Sequence, residues 1–435
     1  MSAALSPELV ALILFGSLLV MFLMKVPIAF SLILSSVLVL QLTGIGLEMV
    51  PKRLFTSCDS FSFMAVPFFI LAGSLMSQGG ISERLCTFIN SIFGRFPGGL
   101  GIVAIVACAF FAAISGSGAA TTAAIGAMMI PEMVRHGYDK DFSAATSASG
   151  GCIGTIIPPS IPFVTYGVLT GCSVSTLFMA GFLPGILMAV CLCGAVVYVS
   201  KKKGYRDTYK ASGREIWTSF KRALLAILMP VIVLGGIYAG FFTPTEAAVV
   251  AVVYGFIVGV FIYRNIDGKL LVKILRDGAV STAQIMILIC AATLFGYVLT
   301  ANRIPDMVAT AILSLSSNKY VILLLINILL LIVGAFMDTT AALIILVPIL
   351  YPIVTSVGVN PIHFAMIICV NLAVGQVTPP FGCNLFVACG TAGIGLEAIS
   401  KKVVPFIIAL IVCVLLVTYI EPISLILPQL LGAQM

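Results

Sequence analysis

Apolar residues run in long continuous segments along most of the chain instead of alternating with polar ones. A helix needs about 20 apolar residues to cross the hydrocarbon core of a bilayer. Segments of this kind lie at 8–24, 26–44, 61–78, 177–199, 223–242, 244–263, 280–300 and 404–420. The pattern predicts an all-α polytopic membrane protein, with surface or arm helices at 46–60, 80–97, 264–278 and 303–318.

Two further apolar regions, 99–135 and 320–355, are too long for one span and are interrupted midway. The first is broken by Ser-Gly-Ser-Gly at 115–118 and the second by Gly-Ala-Phe-Met-Asp at 334–338. Unpaired backbone groups cost several kcal/mol each in a bilayer, so a break must be buried in protein or line an aqueous cavity. We therefore predict two re-entrant hairpins, each made of two half-length helices that meet at a tip.

Two other regions, 141–171 and 362–393, each contain a Pro-Pro pair that follows a Gly by four residues. The pairs are Pro158-Pro159 and Pro379-Pro380. Proline has no N–H to donate and disfavours the helical conformation in the residue before it. Each region is therefore predicted to be a broken transmembrane helix.

These features recur in the same order, 217 to 223 residues apart, which indicates an internal repeat. The matched positions are Pro27 with Pro244, Gly73 with Gly296, Gly116 with Gly334, Thr121-Thr122 with Thr339-Thr340, Pro158-Pro159 with Pro379-Pro380, and Pro184 with Pro405. The predicted organisation is a first repeat at 1–199, a basic loop at 200–222 and a second repeat at 223–435.

Composition and charge exclude a soluble protein and orient the spans. Only 9% of the residues are charged, against about 25% in soluble domains. Eight of the 23 Lys and Arg residues fall between 201 and 222, which predicts a cytoplasmic loop. Counting crossings from this loop places the N-terminus outside and inverts the second repeat relative to the first. It also leaves only Lys52, Arg53, Arg303 and Lys319 outside.

Inverted repeats with hairpins and broken spans are typical of secondary transporters, which bind substrate and coupling ions where the repeats meet. Unwound loops offer oxygens to a hard cation, while the N-termini of half-helices favour an anion. The cation candidates are Ser115, Gly116, Ser117, Gly154, Thr155, Gly334, Asp338, Thr339, Thr340, Gln376 and Thr378. The substrate candidates are Ser117, Ser160, Thr165, Asp338 and Asn384. For Ser160, Thr165 and Asn384 the alternative is a side chain bonded back to its own helix.

Asp338 is the only formal charge in the hairpin tips and Gly-to-Pro loops. A carboxylate within the membrane costs about 3 kcal/mol or more unless it is paired, and is a functional candidate by default. The alternative is a helix cap, because Asp338 directly precedes the second half-helix of its hairpin. The two roles are compatible. No Lys or Arg lies in these loops, so an anion would have to be held by a cation, helix ends and hydroxyls.

Several motifs resemble the large membrane subunit of tripartite ATP-independent periplasmic (TRAP) transporters, and the resemblance covers essentially the whole chain. They are Ala-Val-Pro-Phe-Phe-Ile-Leu-Ala-Gly at 65–73, Ser-Gly-Ser-Gly-Ala-Ala-Thr-Thr-Ala-Ala-Ile-Gly at 115–126, Ile-Pro-Glu-Met at 130–133, Gly-Thr-Ile-Ile-Pro-Pro-Ser-Ile at 154–161 and Gly-Gln-Val-Thr-Pro-Pro-Phe-Gly at 375–382.

The resemblance implies a sodium-driven importer of an organic acid, such as sialic acid, a dicarboxylate or another sugar acid, in the bacterial inner membrane. It also implies an elevator mechanism, a periplasmic substrate-binding protein and a small four-helix membrane subunit. Because the sequence starts at the first span of the large subunit, that small subunit is expected on a separate chain. Two similar hairpin-plus-loop sites suggest at least two sodium ions.

Two other functions are weighed against this interpretation. The first is a stand-alone sodium–carboxylate symporter of the same broad fold, which would need no binding protein. The second is a membrane enzyme, which would need a catalytic set such as His-Glu-x-x-His or a Ser with a nearby His. The sequence offers neither set, and transport is therefore the favoured function.

Overall fold

The computed structural model describes residues 6–59, 61–205, 211–315 and 318–433, and all regular structure within these ranges is helical. The helices are α1 (Pro7–Leu23), α2 (Ile28–Thr43), α3 (Met49–Cys58), α4 (Ala65–Gln78), α5 (Ile81–Phe93), α6 (Gly99–Ser115), α7 (Gly118–Arg135), α8 (Lys140–Gly151), α9 (Ile161–Thr170), α10 (Val174–Lys203), α11 (Gly213–Tyr238), α12 (Pro244–Phe256), α13 (Gly268–Ala301), α14 (Ile304–Leu315), α15 (Lys319–Phe336), α16 (Thr339–Ser356), α17 (Pro361–Gly375), α18 (Cys383–Ala392), α19 (Leu396–Tyr419) and α20 (Pro422–Leu430).

The predicted multi-pass helical class is confirmed. Seven helices in the described part of the chain are long and apolar enough to cross a bilayer, namely α10, α11, α12 with its π-helical extension to Ile262, α13, α15, α16 and α19. The segments predicted at 8–24 and 26–44 form the shorter apolar helices α1 and α2. The predicted arm at 80–97 is present as α5, which bends by 66° away from α4 at Gly79-Gly80.

Three predicted boundaries are wrong. No separate arm exists at 264–278, because α13 continues for 34 residues through Gly278. The basic loop is shorter than 200–222, because α10 extends to Lys203 and a Ser212–Glu215 capping box starts α11. The hairpin arms are not half-length, since α6 has 17 residues and α7, α15 and α16 have 18 each.

Both predicted hairpin breaks are present. In the first, α6 ends at Ser115, Gly116 adopts a left-handed conformation with φ of 61°, and Ser117 caps α7. In the second, the break falls at Met337 and Asp338, and Asp338 caps α16. The break therefore lies within the predicted 334–338 interruption, whose first residue, Gly334, is still part of α15.

Both predicted broken spans are also present. The first runs from α8 through a short 3-10 helix (Cys152–Thr155) and a non-helical stretch to α9. The second leaves α17 at Gly375 and resumes as α18 at Cys383. The Pro158-Pro159 and Pro379-Pro380 bonds inside these stretches are both cis.

The two halves of the chain exchange helices. The second arm of each hairpin packs on the second half of the other broken span, as α7 on α18 and α16 on α9. The outer helices cross in the same way, with α2 against α13 and α4 against α12. This exchange brings the two hairpin tips and the two unwound stretches together.

Candidate functional site

The hairpin tips and unwound stretches enclose a cavity of about 150 Å³, which we call the central cavity. Seven of the residues predicted from the sequence line it, namely Gly116, Ser117, Thr155, Asp338, Thr339, Thr340 and Gln376. The remaining lining residues are Gly118, Ile161, Pro162, Ile285 and Leu288, which the sequence analysis did not single out. The cavity therefore receives residues from both halves of the chain.

The first hairpin contributes hydroxyl and carbonyl oxygens. The Ser115 and Thr121 hydroxyl oxygens lie 2.8 Å apart, and the Thr121 hydroxyl donates to the Ser117 carbonyl at 2.8 Å. Ile161 donates its N–H to the Gly116 carbonyl at 3.3 Å, which joins the tip to the start of α9. A Cβ added at Gly116 would lie 2.7 Å from the Pro159 carbonyl oxygen, so this contact requires glycine.

The second hairpin contributes the carboxylate. Asp338 Oδ2 accepts the Thr340 N–H at 2.9 Å, as expected for a helix cap. Gln376 Nε2 lies 3.5 Å from Asp338 Oδ1 and donates to the Thr339 hydroxyl at 2.8 Å. The predicted capping role of Asp338 is therefore present, and its carboxylate still lines the central cavity.

Two buried amide oxygens lie close to the first hairpin without a hydrogen-bond partner among the described residues. They are Gln376 Oε1 and Asn384 Oδ1. Both side chains approach the space beside Gly118, where an added Cβ would lie 3.2 Å from Asn384 Oδ1. An unsatisfied buried acceptor costs about 1–3 kcal/mol, so these oxygens favour the binding of a donor or a cation.

The second tip and its unwound stretch are in backbone contact. A Cβ added at Gly375 would lie 2.7 Å from the Gly334 carbonyl oxygen, and one at Gly334 would lie 3.2 Å from Gly375 Cα. Gly334 therefore serves close packing rather than the interruption that was predicted to begin with it.

Several predicted residues do not line the central cavity. The Thr378 hydroxyl donates to the Val374 carbonyl at 2.9 Å, and that of Thr165 to the Ile161 carbonyl at 3.0 Å. Ser160 donates to the Thr155 carbonyl at 2.6 Å. Gly154 packs beside Ser117 and Thr121, while Asn384 Nδ2 donates to the Ala148 carbonyl at 3.4 Å. The local alternative accounts for Thr165, and a direct role for these residues stays a prediction.

The donor set suits a hard cation. Among the described residues, Asp338 is the only charged one that lines the cavity, and the other donors are hydroxyl, amide and carbonyl oxygens. Among the described residues, no group of three His, Cys, Asp or Glu side chains is placed to hold a metal ion. Oxygen donors with a single carboxylate fit a hard ion better than a soft transition metal.

A second cavity of about 350 Å³, which we call the vestibule, adjoins the central cavity. Ser117, Ile161 and Ile285 line both. The vestibule lies between the first hairpin and the helices α4 and α13, and its lining includes the exposed residues Gln78 and Asp277, so it extends from the central cavity to the surface.

Comparison with known proteins supplies the family. The model of the DctM component of the tripartite ATP-independent periplasmic transporter matches residues 15–423. The chain belongs to this family.

Relatives of this DctM-family chain carry transporter names. It is 38% identical to the C4-dicarboxylate TRAP transporter large permease protein of Rhodobacter capsulatus, over 97% of this chain and 99% of the relative. It is 37% identical to the sialic acid TRAP transporter large permease protein of Vibrio cholerae, over 93% and 95%. Identity is 45% to the isethionate TRAP transporter permease protein DctMQ of Oleidesulfovibrio alaskensis, over 95% of this chain but only 65% of that relative.

Among solved structures, the Alcanivorax borkumensis YdaH transporter aligns with a TM-score of 0.63 at 14% identity, over 87% of this chain and 90% of that one. This likeness shows the fold alone. By its family, the chain is a TRAP transporter large permease, and the resemblance seen in its motifs is confirmed.

Proposed function

We propose that this chain imports an organic anion across the bacterial inner membrane by coupling it to sodium. The central cavity carries the proposal, because both halves of the chain converge there around one carboxylate and several neutral oxygens. Asp338, Gln376 Oε1 and the tip carbonyls would hold sodium. The N-termini of α7 and α16, which begin at the cavity, would attract the anion.

None of the described residues that line the central cavity is a Lys or an Arg, which bears on how an anion would be held. Without an Arg or Lys, the anion must be bound by helix ends, hydroxyls and the sodium ions themselves, which couples the two ligands directly. The names of the relatives suggest isethionate, C4-dicarboxylates and sialic acid as candidate substrates. All three are small oxygen-rich anions.

The helix exchange supports an elevator mechanism. The hairpins and broken spans form one packed unit, in which α7, α9, α16 and α18 interlock around the cavity. The paired helices α2 with α13 and α4 with α12 form the surrounding scaffold. We propose that the inner unit moves against this scaffold and exposes the cavity to each side in turn. The basic loop then lies in the cytoplasm and the N-terminus in the periplasm.

The partners follow from the family. We propose that a periplasmic binding protein delivers the substrate and that a small membrane subunit completes the scaffold.

The test is uptake by the reconstituted complex. Proteoliposomes containing this chain and the small subunit would receive the binding protein outside, with labelled isethionate, succinate or sialic acid. We expect one of them to accumulate under an inward sodium gradient and not when choline replaces sodium. Undiminished uptake without the binding protein would instead favour a stand-alone symporter, and equal uptake in choline would exclude sodium coupling.

A further inference from the structure

The lining of the vestibule includes a carboxylate. Of the sixteen described residues that line it, only Asp277 of α13 carries a formal charge. No Lys, Arg or His nitrogen of the described residues lies within 4 Å of its carboxylate. The other polar residues of the lining are hydroxyls and one amide, namely Ser74, Ser77, Gln78, Ser115, Ser117 and Ser281.

One face of α13 connects this carboxylate to the central cavity. Ile274, Asp277, Ser281 and Ile285 line the vestibule at helical spacing, and Ile285 and Leu288 line the central cavity. At 1.5 Å of rise per residue, Asp277 lies about 12 Å along the helix from Ile285, where the two cavities meet. This arrangement exists because α13 is continuous and has no break at Gly278.

The charge must act on any ion that uses this route. Asp277 is exposed at the outer part of the vestibule, and a charge at the opening of a cavity changes the local concentration of ions there. A carboxylate about 12 Å away favours a cation and disfavours an anion at the junction, by about two-fold each after screening. At Ser281, one turn from Asp277, the effect is larger.

We propose that Asp277 is a selectivity residue of the route between the central cavity and the cytoplasm. It favours sodium over the organic anion in the vestibule, and so opposes rebinding of a released substrate. The cytoplasmic side of the route and the direction of transport rest on the proposed function, whereas the electrostatic assignment does not. Asp277 acts at a distance and contacts neither ligand in the central cavity.

The electrostatic assignment is tested without transport. Ser281→Cys would be labelled in the purified permease with a cationic or an anionic methanethiosulfonate, and modification at that position followed by peptide mass spectrometry. We expect Asp277→Asn to lower the cationic-to-anionic rate ratio by at least about three-fold, and 0.5 M salt to reduce the difference. The same measurement at Ser77→Cys serves if the first variant does not fold. An unchanged ratio at both positions would overturn the proposal.

The transport consequence is tested in the reconstituted complex from the lumenal side. Sodium or substrate preloaded inside the vesicles inhibits uptake, and the internal concentration that halves the uptake rate is measured for each. For Asp277→Asn we expect the half-inhibitory concentration of sodium to rise and that of substrate to fall, about two-fold each. Loss of structure would move both in the same direction, which would count against the proposal.

Two comparisons separate this proposal from the proposed function. Glu397→Gln removes one negative charge from the exposed start of α19, away from the vestibule, and should change neither concentration. Absence of sodium-driven uptake by the wild-type complex would refute the proposed function, while the labelling ratio would still decide the role of Asp277.

Discussion

Replacing Asp338 by asparagine is the sharpest test of the cation site. The substitution keeps the size of the side chain and its cap, because asparagine caps helices about as well as aspartate. The Thr340 N–H can still be bound by the asparagine oxygen. What is lost is the one negative charge that the described residues contribute to the lining of the central cavity.

The expected magnitude follows from Coulomb's law. Two unit charges about 4 Å apart interact by about 4 kcal/mol at an effective dielectric constant of 20. The neutral amide oxygen recovers part of this, so we expect a loss of about 2 kcal/mol. That corresponds to about a thirty-fold higher sodium concentration for half-maximal uptake.

The assay is sodium-dependent uptake in proteoliposomes, together with the shift of apparent melting temperature that sodium causes in the purified permease. The matched control is Asp267→Asn, which makes the same change at the cap of α13, where Asp267 accepts the Leu270 N–H at 2.7 Å outside both cavities. A folded Asp338→Asn protein with wild-type sodium dependence in both measurements would refute the cation site.

Two further predictions concern stability. Gly375→Ala places a methyl group 2.7 Å from the Gly334 carbonyl oxygen, and this overpacking should lower the apparent melting temperature by an amount typical of about 1–3 kcal/mol. The control is Gly390→Ala, which should leave the melting temperature unchanged because nothing lies within 4 Å of the added methyl group. Equal effects of the two substitutions would contradict the close contact. Burial raises the pKa of the Asp139 carboxyl. Hydrogen bonds from Tyr205 and Lys203 and the charge of Lys402 together lower this pKa by more, so it lies below the ordinary value of 3.8. A carboxyl group whose pKa is depressed by folding stabilises the folded state at pH values above its unfolded pKa. Asp139→Asn should therefore lower the free energy of unfolding at pH 7, by less than about 1 kcal/mol because solvent screens a side chain that is 44% exposed. The difference between the two proteins should vanish as the pH falls below 3.8. Thermal unfolding of both proteins across that range would show a constant difference if the contact were irrelevant.

The helix breaks were the features best predicted from the sequence, because they depend on the backbone preferences of a few neighbouring residues. Ser117 and Asp338 are good helix-capping residues, and the two Pro-Pro pairs cannot continue a helix, so all four breaks were predicted near their observed positions. Ser117 and Asp338 are 221 residues apart, the same separation as Pro158 and Pro379, so the capped breaks and the Pro-Pro breaks follow one register.

The errors occurred where packing overrides local preference. Gly334 was predicted to be part of the 334–338 interruption, and the arm at 264–278 was predicted to be separate from the span at 280–300, but a glycine within a helix costs only about 1 kcal/mol relative to alanine, which packing easily offsets. Gly334 instead allows contact with Gly375, and Gly278 lies inside the continuous α13. Ile285 and Leu288 could not be predicted as cavity residues, because apolar residues of a span look the same whether they face lipid, protein or a cavity.

The helix exchange has a consequence for the history and engineering of the chain. A fragment that ended in the loop after Lys203 would possess one hairpin and one broken span, yet α7 and α9 would lack the surfaces of α18 and α16 on which they rest. Neither fragment could therefore operate as a primitive carrier by itself, although the two together could reassemble. Substitutions on one side of this shared surface must be accommodated by the other, so the duplicated segments are expected to diverge in step.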